Sequence, residues 1–156
     1  MRDPNRRFEL DVLSSMRQII ETDAYFITSF ANKRTSVFKV FRDTLLIRTI
    51  DAYPAMAIYI DKVEYYLQNG FYKPKPKVLI EVACQASELE DARELSILFQ
   101  KDVRYTFNMT DLSSFVNSNL VRVNSCIITD IEASAYAPIN RQWTFISTMQ
   151  LEITIF

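Results

Sequence analysis

Asp130 and Glu132 stand two positions apart in a strand-like stretch, which puts both carboxylates on one side of a strand. A divalent cation takes oxygen ligands, but about six of them, and no other carboxylate stands close by in the chain. The same pair on a solvated strand face needs no ligand. Glu88, Glu90 and Asp91 could serve as acid–base groups, yet a helix start favours negative charge at just such positions. Ser14, Ser15 with Arg17, and Ser113 with Ser114, offer hydroxyls without the neighbouring base that a nucleophile needs. The chain has no histidine and one glycine, Gly70. No imidazole means no triad built on it and no His-ligated zinc, and Cys84 and Cys126 alone cannot close a zinc site. A single glycine cannot form a P-loop or a dinucleotide fingerprint. The sequence names no catalytic, cofactor or metal-binding residue, and the chain is not expected to be an enzyme.

The chemistry it does suggest is contact. Eleven Phe, eight Tyr and one Trp make up 13% of the 156 residues. Tyr65, Tyr66, Phe71 and Tyr72 flank Asn69 and Gly70, a pair that tolerates the positive φ of a two-residue hairpin turn. Lys73, Lys75 and Lys77 then alternate with Pro74 and Pro76, which cannot donate to a ladder and so describe an exposed arm or an edge that resists pairing. Large apolar side chains are disfavoured on a free surface and enriched at interfaces. Tyr65, Tyr66, Phe71, Tyr72, Lys73 and Lys75 are therefore the candidate subunit-interface residues. The alternative is a hairpin folded back on its own sheet, with another element over the rings.

Charge sharpens this. Eighteen basic and 19 acidic residues leave a net charge of −1, whereas general nucleic-acid binders carry a marked basic excess. The local clusters Arg2, Arg6, Arg7 and Lys33, Arg34 suit solvation or protein contact better than phosphate. The apolar stretch 53–60 is far shorter than the ~20 residues that span a bilayer, and no apolar signal core follows the N-terminal charges. The expectation is a chain made in a reducing cytoplasm, with no membrane contact and its cysteines as buried free thiols.

The elements that must position the arm follow from periodicity. A helix is expected over 3–30, with Asp3 as cap and Pro4 in the first turn. Its stripe is Leu10, Leu13, Ile20, Ala24 and Ile27, widened by Val12, Met16 and Ile19, and 22–30 could form a second short helix. A sheet is expected over 36–84: short strands around Val37 to Phe41 and Leu45 to Ile50, a break at Asp51 and Pro54, then Met56, Ile58 and Ile60 on one face. Val78, Ile80, Val82 and Cys84 form the apolar face of the returning strand. Ser87 and Glu90 form a capping box for a helix over 87–105 with the stripe Ala92, Leu95, Phe99 and Val103. A strand pair over 120–156 closes the chain. Its first strand carries Val121, Val123, Ile127 and Ile131 on one face, and a turn follows at 136–140. In the second, Trp143, Phe145, Met149, Leu151, Ile153 and Ile155 share a face, expected to pack under the Ser87 helix. The whole reads as a single domain, 1–156, of α+β class: a mainly antiparallel sheet, two helices packed on one face and a projecting β-hairpin.

This order resembles that of bacteriophage tail terminators, the small proteins that cap a finished tail tube. The resemblance lies in the N-terminal helix, the proline-containing strand 53–60, the long hairpin returning through 77–82, the capped helix from Ser87 and the terminal strand 142–156. It implies a virion protein of the tail or neck, assembled in the host cytoplasm. Six copies would form a ring on the last ring of tail tube protein, stop its polymerisation and present a surface to the head–tail connector, with DNA passing through the lumen without sequence-specific binding. Head-completion and tail-tube proteins share the size and the lack of catalytic residues. A small intracellular protein-binding adaptor is the reading from outside the virion.

Overall fold

In a computed structural model of the chain, residues 8–24, 26, 28, 53–107, 121–125, 132–139 and 141–155 are described. The expected strands over 36–50, the Asp3 cap, Pro4, Cys126 and Asp130 lie outside them. The fold is α+β, with an antiparallel sheet and helices on one face.

Helix α1 spans Phe8–Thr22. It stops short of the expected 30 because Asp23 breaks the ladder: its N–H reaches back only to the Ile20 carbonyl at 3.3 Å, and its Oδ1 accepts from the Phe26 N–H at 3.4 Å. Asp23 thus caps a following turn in which Ala24, Phe26 and Thr28 are helical, as the second-short-helix reading allowed. The buried stripe is Val12, Leu13, Met16 and Ile20, with Ile19 packed beside it. Leu10, 57% exposed, and Ala24 fall outside it, contrary to expectation. Arg17 Nη2 donates to the Ile58 carbonyl at 3.0 Å and ties the helix to the sheet.

Strands β1 (Ala55–Gln68) and β2 (Phe71–Ala86) form one long hairpin. β5 (Gln142–Ile155) pairs with β2 over Lys77↔Glu152 to Ala86↔Trp143. The far edge of β5 is shared by β3 (Val121–Ser125) at one end and β4 (Glu132–Ile139) at the other. The single strand expected from Val121 to Ile131 is therefore two elements. The turn expected at 136–140 also moves: Tyr136 to Ile139 belong to β4, the register slips between Tyr136 and Ile139, around Pro138, and Ile139 pairs with Gln142. Proline lacks the ladder N–H and is accommodated where pairing is irregular. Arg141, at φ 64, makes the turn.

Helix α2 spans Leu89–Phe107. Its first backbone bond runs from the Ala92 N–H to the Glu88 carbonyl, so the cap falls on Glu88, one residue past Ser87, with Glu90 and Asp91 in the first turn. The buried stripe is Ala92, Ser96, Gln100, Val103 and Phe107. Ala92 and Val103 are buried as expected, whereas Leu95 is 41% exposed and Phe99 only partly buried, so the buried stripe turns toward Ser96 and Gln100. The reason is a polar contact between helix and sheet. Ser96 donates to the Val82 carbonyl at 3.1 Å and meets the Ser147 hydroxyl at 2.6 Å, while Gln100 Nε2 donates to the carbonyls of Ile80, at 3.2 Å, and Ser147, at 2.9 Å.

The main core lies between this sheet face and both helices. Met16, Ile20, Met56, Ile58, Ile80, Phe107, Met149 and Leu151 are fully buried there, each contributing about 1.5–3 kcal/mol. Phe145, Met149 and Leu151 are buried as expected, but Trp143 is only half-buried. On the other face Ala55, Ala57, Ala83 and Ile146 form a second cluster, and the Tyr59 hydroxyl donates to the buried Glu81 carboxylate. No helix among the described residues is long and apolar enough to cross a membrane.

Candidate subunit interface

The arm is built by its turn and by one bulge. Asn69 and Gly70 have φ of 52° and 80°, the two positive angles of a two-residue hairpin, and Gln68 pairs with Phe71 across them. That pairing fixes the rest: Leu67↔Tyr72, Tyr66↔Lys73, Tyr65↔Pro74, Glu64↔Lys75 and Val63↔Pro76. The register then slips between Ile60 and Lys62, leaving Asp61 as the extra residue. A one-residue insertion switches which alternate positions face the core. Met56, Ile58 and Ile60 face it before the bulge, and Val63, Tyr65 and Leu67 continue that face after it.

The prolines end the sheet. Counting from the hydrogen-bonded Gln68↔Phe71 pair, Pro74 and Pro76 occupy positions whose N–H would point away from β1, toward the line of β5. The β2–β5 ladder stops at Lys77↔Glu152, one residue before Pro76. Beyond it, among the described residues, 71–76 pair with β1 alone. The ribbon projects about 20 Å at roughly 3.4 Å per residue.

One face of this ribbon is apolar and prolongs the core face past the helices. Pro76 is buried and Val63 half-buried at its root, whereas Tyr65 and Leu67 are each 63% exposed and Tyr72 is 75% exposed at its tip. The other face is mixed. Glu64 meets Lys77 at 3.0 Å and Lys62 at 3.4 Å, and the Lys77 hydrogen bond, then that of Lys62, holds the Glu64 carboxyl below its usual pKa. Tyr66 and Lys75 are half-buried on this face, and Phe71 is 73% exposed. The side chain of Lys73 lies outside the described residues.

The six residues singled out in the sequence are thus close along the chain but divided in space. Tyr65 and Tyr72 share the apolar face, and Tyr66, Phe71 and Lys75 belong to the other. Sequence reasoning missed Leu67. The signal was present, because an Asn-Gly turn dictates the Gln68↔Phe71 pair and so puts Leu67 opposite Tyr72.

A second feature lies at the opposite end of the same two strands. Tyr53, Pro54, Cys84, Gln85, Leu95 and Phe99 line a cavity of about 230 Å³. The Tyr53–Pro54 peptide is cis. Burial pushes the Tyr53 phenol above its ordinary pKa, opposed by a hydrogen bond with Thr144, and burial pushes the Cys84 thiol up to about 12. Cys84 is a buried free thiol, as expected, and at that pKa it is unreactive near neutrality.

No protein-family model matches the sequence, and no curated protein matches it. The fold has a counterpart. A chain from the virion of a native gene transfer agent particle superposes with a TM-score of 0.55 at 12% identity, covering 97% of this chain and 98% of that one. At that identity the likeness is one of fold.

Proposed function

We propose that this chain is a structural protein of a phage-like virion, and that it acts as a ring-forming tail terminator. The observation that carries the reading is the near-complete mutual coverage with a virion chain. The exposed apolar arm supports it, because a stiff two-stranded projection loses little freedom on docking. On this reading six copies close a ring on the last ring of tail tube protein, stop its polymerisation and meet the head–tail connector, while DNA passes through the lumen without being read. The work is done by contact area, with no catalytic step, cofactor or metal.

Light scattering of the purified chain and electron microscopy of the chain mixed with tail tubes test this. The expected result is a ring of six copies at one end of each tube and tubes that no longer grow. A chain that stays monomeric and ignores tubes overturns the reading. One that itself polymerises into tubes replaces it with the tail-tube reading.

A further inference from the structure

The chain carries an apolar knob at one end of the β1–β2 hairpin and a cavity at the other. The knob is Tyr65, Leu67 and Tyr72. The cavity lies about 40 Å away along β2, from Tyr72 to Cys84, too far for a chain to fill its own. Two different patches that fit each other, separated on one molecule, make a head-to-tail contact that repeats until it closes. At about 230 Å³ the cavity exceeds several times the roughly 30 Å³ share of a water molecule, which leaves room for one aromatic side chain. Its lining offers Phe99, Pro54 and the rim residue Leu95, which is apolar and partly exposed.

Charge points to the same pairing. The arm carries Lys62, Lys73, Lys75 and Lys77 against Asp61 and Glu64. The first turns of α2, on which Leu95 brings the cavity rim, expose Glu88, Glu90, Asp91 and Glu94 against Arg93. A two-stranded ribbon is thin enough that charges on its far face stay within the ~10 Å screening length of a docked surface. They would steer encounter and register more than affinity.

We infer that the arm tip of one copy seats Tyr72, with Tyr65 and Leu67 around it, in the Tyr53–Pro54–Leu95–Phe99 cavity of the next copy. This rests on the ring reading and adds which surfaces make the ring. The test uses two chains, Tyr72→Cys and Leu95→Cys, each with Cys84→Ala and Cys126→Ser, because Cys84 lines the cavity and would lie within reach of a thiol seated there. Both new thiols replace exposed side chains, and circular dichroism checks that each chain is folded. Under mild oxidation, on tail tubes, the mixture gives a disulfide between the two variants, and neither variant alone gives one with itself. Separately, Glu90→Lys with Glu94→Lys weakens assembly at low salt by tenfold or more, and high salt narrows the difference. A ring that forms without the mixed disulfide overturns this contact and leaves the ring standing, as does Tyr72→Cys cross-linking to itself. A chain that never associates, alone or on tubes, overturns both.

Discussion

The arm face should matter less to the isolated subunit than to assembly, and the structure sets the size of each effect. Consider Tyr65→Thr, Leu67→Thr and Tyr72→Thr together, since threonine keeps strand propensity while removing apolar area. Full burial of a large apolar side chain contributes about 1.5–3 kcal/mol. The subunit itself buries about a third of Tyr65 and Leu67 and a quarter of Tyr72. The triple variant should therefore lose about 1.5–3 kcal/mol in a urea melt of the isolated chain. Docking would bury the remainder, about 1–2 kcal/mol per side chain, or about 3–6 kcal/mol for each contact. That is a fall of about 10²–10⁴ in the association constant at every joint, read by sedimentation and by counting capped tubes. The comparison is Phe71→Thr, just as exposed but on the other face, which should change assembly far less. A loss above about 4 kcal/mol in the isolated chain would show that the face is covered within the subunit. Normal capping by the triple variant would show that the face docks on nothing.

Gln100 is held by two donated hydrogen bonds, worth about 1 kcal/mol each, but its buried Oε1 has no partner among the described residues, which costs about 1–3 kcal/mol. Gln100→Met should thus fall within about 1 kcal/mol of the native chain in urea melts, while Gln100→Ala, which also opens a cavity, costs about 2–4 kcal/mol. Equal large losses in both would mean that the hydrogen bonds outweigh the volume. Burial raises the Cys84 thiol from 9.0 to about 12, so this group's contribution to stability is full below the ordinary thiol value and declines as pH rises from 9.0 toward about 12. The gap between the native chain and Cys84→Ala in pH-dependent melts should change across that window by up to about 1.4 kcal/mol per pH unit, and a flat gap would show the thiol to be solvated. The Glu64 carboxyl is lowered by Lys77 and then Lys62, so its ion-pair contribution is present above the usual 4.5 and lost as acid titrates the group below it. A carbon-detected NMR titration should place Glu64 below 4.5, and Lys77→Met should move it back up more than Lys62→Met does; no movement in either would remove the ion pair.

Where one physical signal governs an element, the sequence is legible. The Asn69–Gly70 turn appears where both residues have positive φ, and the odd-numbered residues of β5 put Phe145, Met149 and Leu151 into the core. Where two signals compete, the weaker one is invisible. On α2 the apolar pattern marks Ala92, Leu95, Phe99 and Val103, but between Ala92 and Val103 the helix buries Ser96 and Gln100 rather than Leu95 and Phe99. Small Ser96 against Ser147 allows close approach, and Gln100 reaches sheet carbonyls that no hydropathy pattern reveals. β3 and β4 read as one strand because strand propensity does not say which stretch of β5 each will find.

The candidate interface is hidden for a related reason. Period-2 reading from Met56 carries the even positions through Ile58 and Ile60 to Tyr66, and would place Tyr65 and Leu67 on the face away from the core. Counting back from the turn gives the opposite answer. The two counts disagree by one residue, and a bulge is the only way both can hold; the structure puts it at Asp61. The disagreement is therefore legible in the sequence alone, as a phase conflict between a strand anchored in the core and a strand anchored at its turn. Its consequence is functional. Without the bulge, Tyr65 and Leu67 would leave the core face, and Tyr72, held there by the unbroken alternation of β2, would be joined by Glu64 and Tyr66 instead. With it, Tyr65, Leu67 and Tyr72 leave an exposed apolar surface at the arm tip, the kind of surface that the proposed ring would cover with a neighbouring subunit.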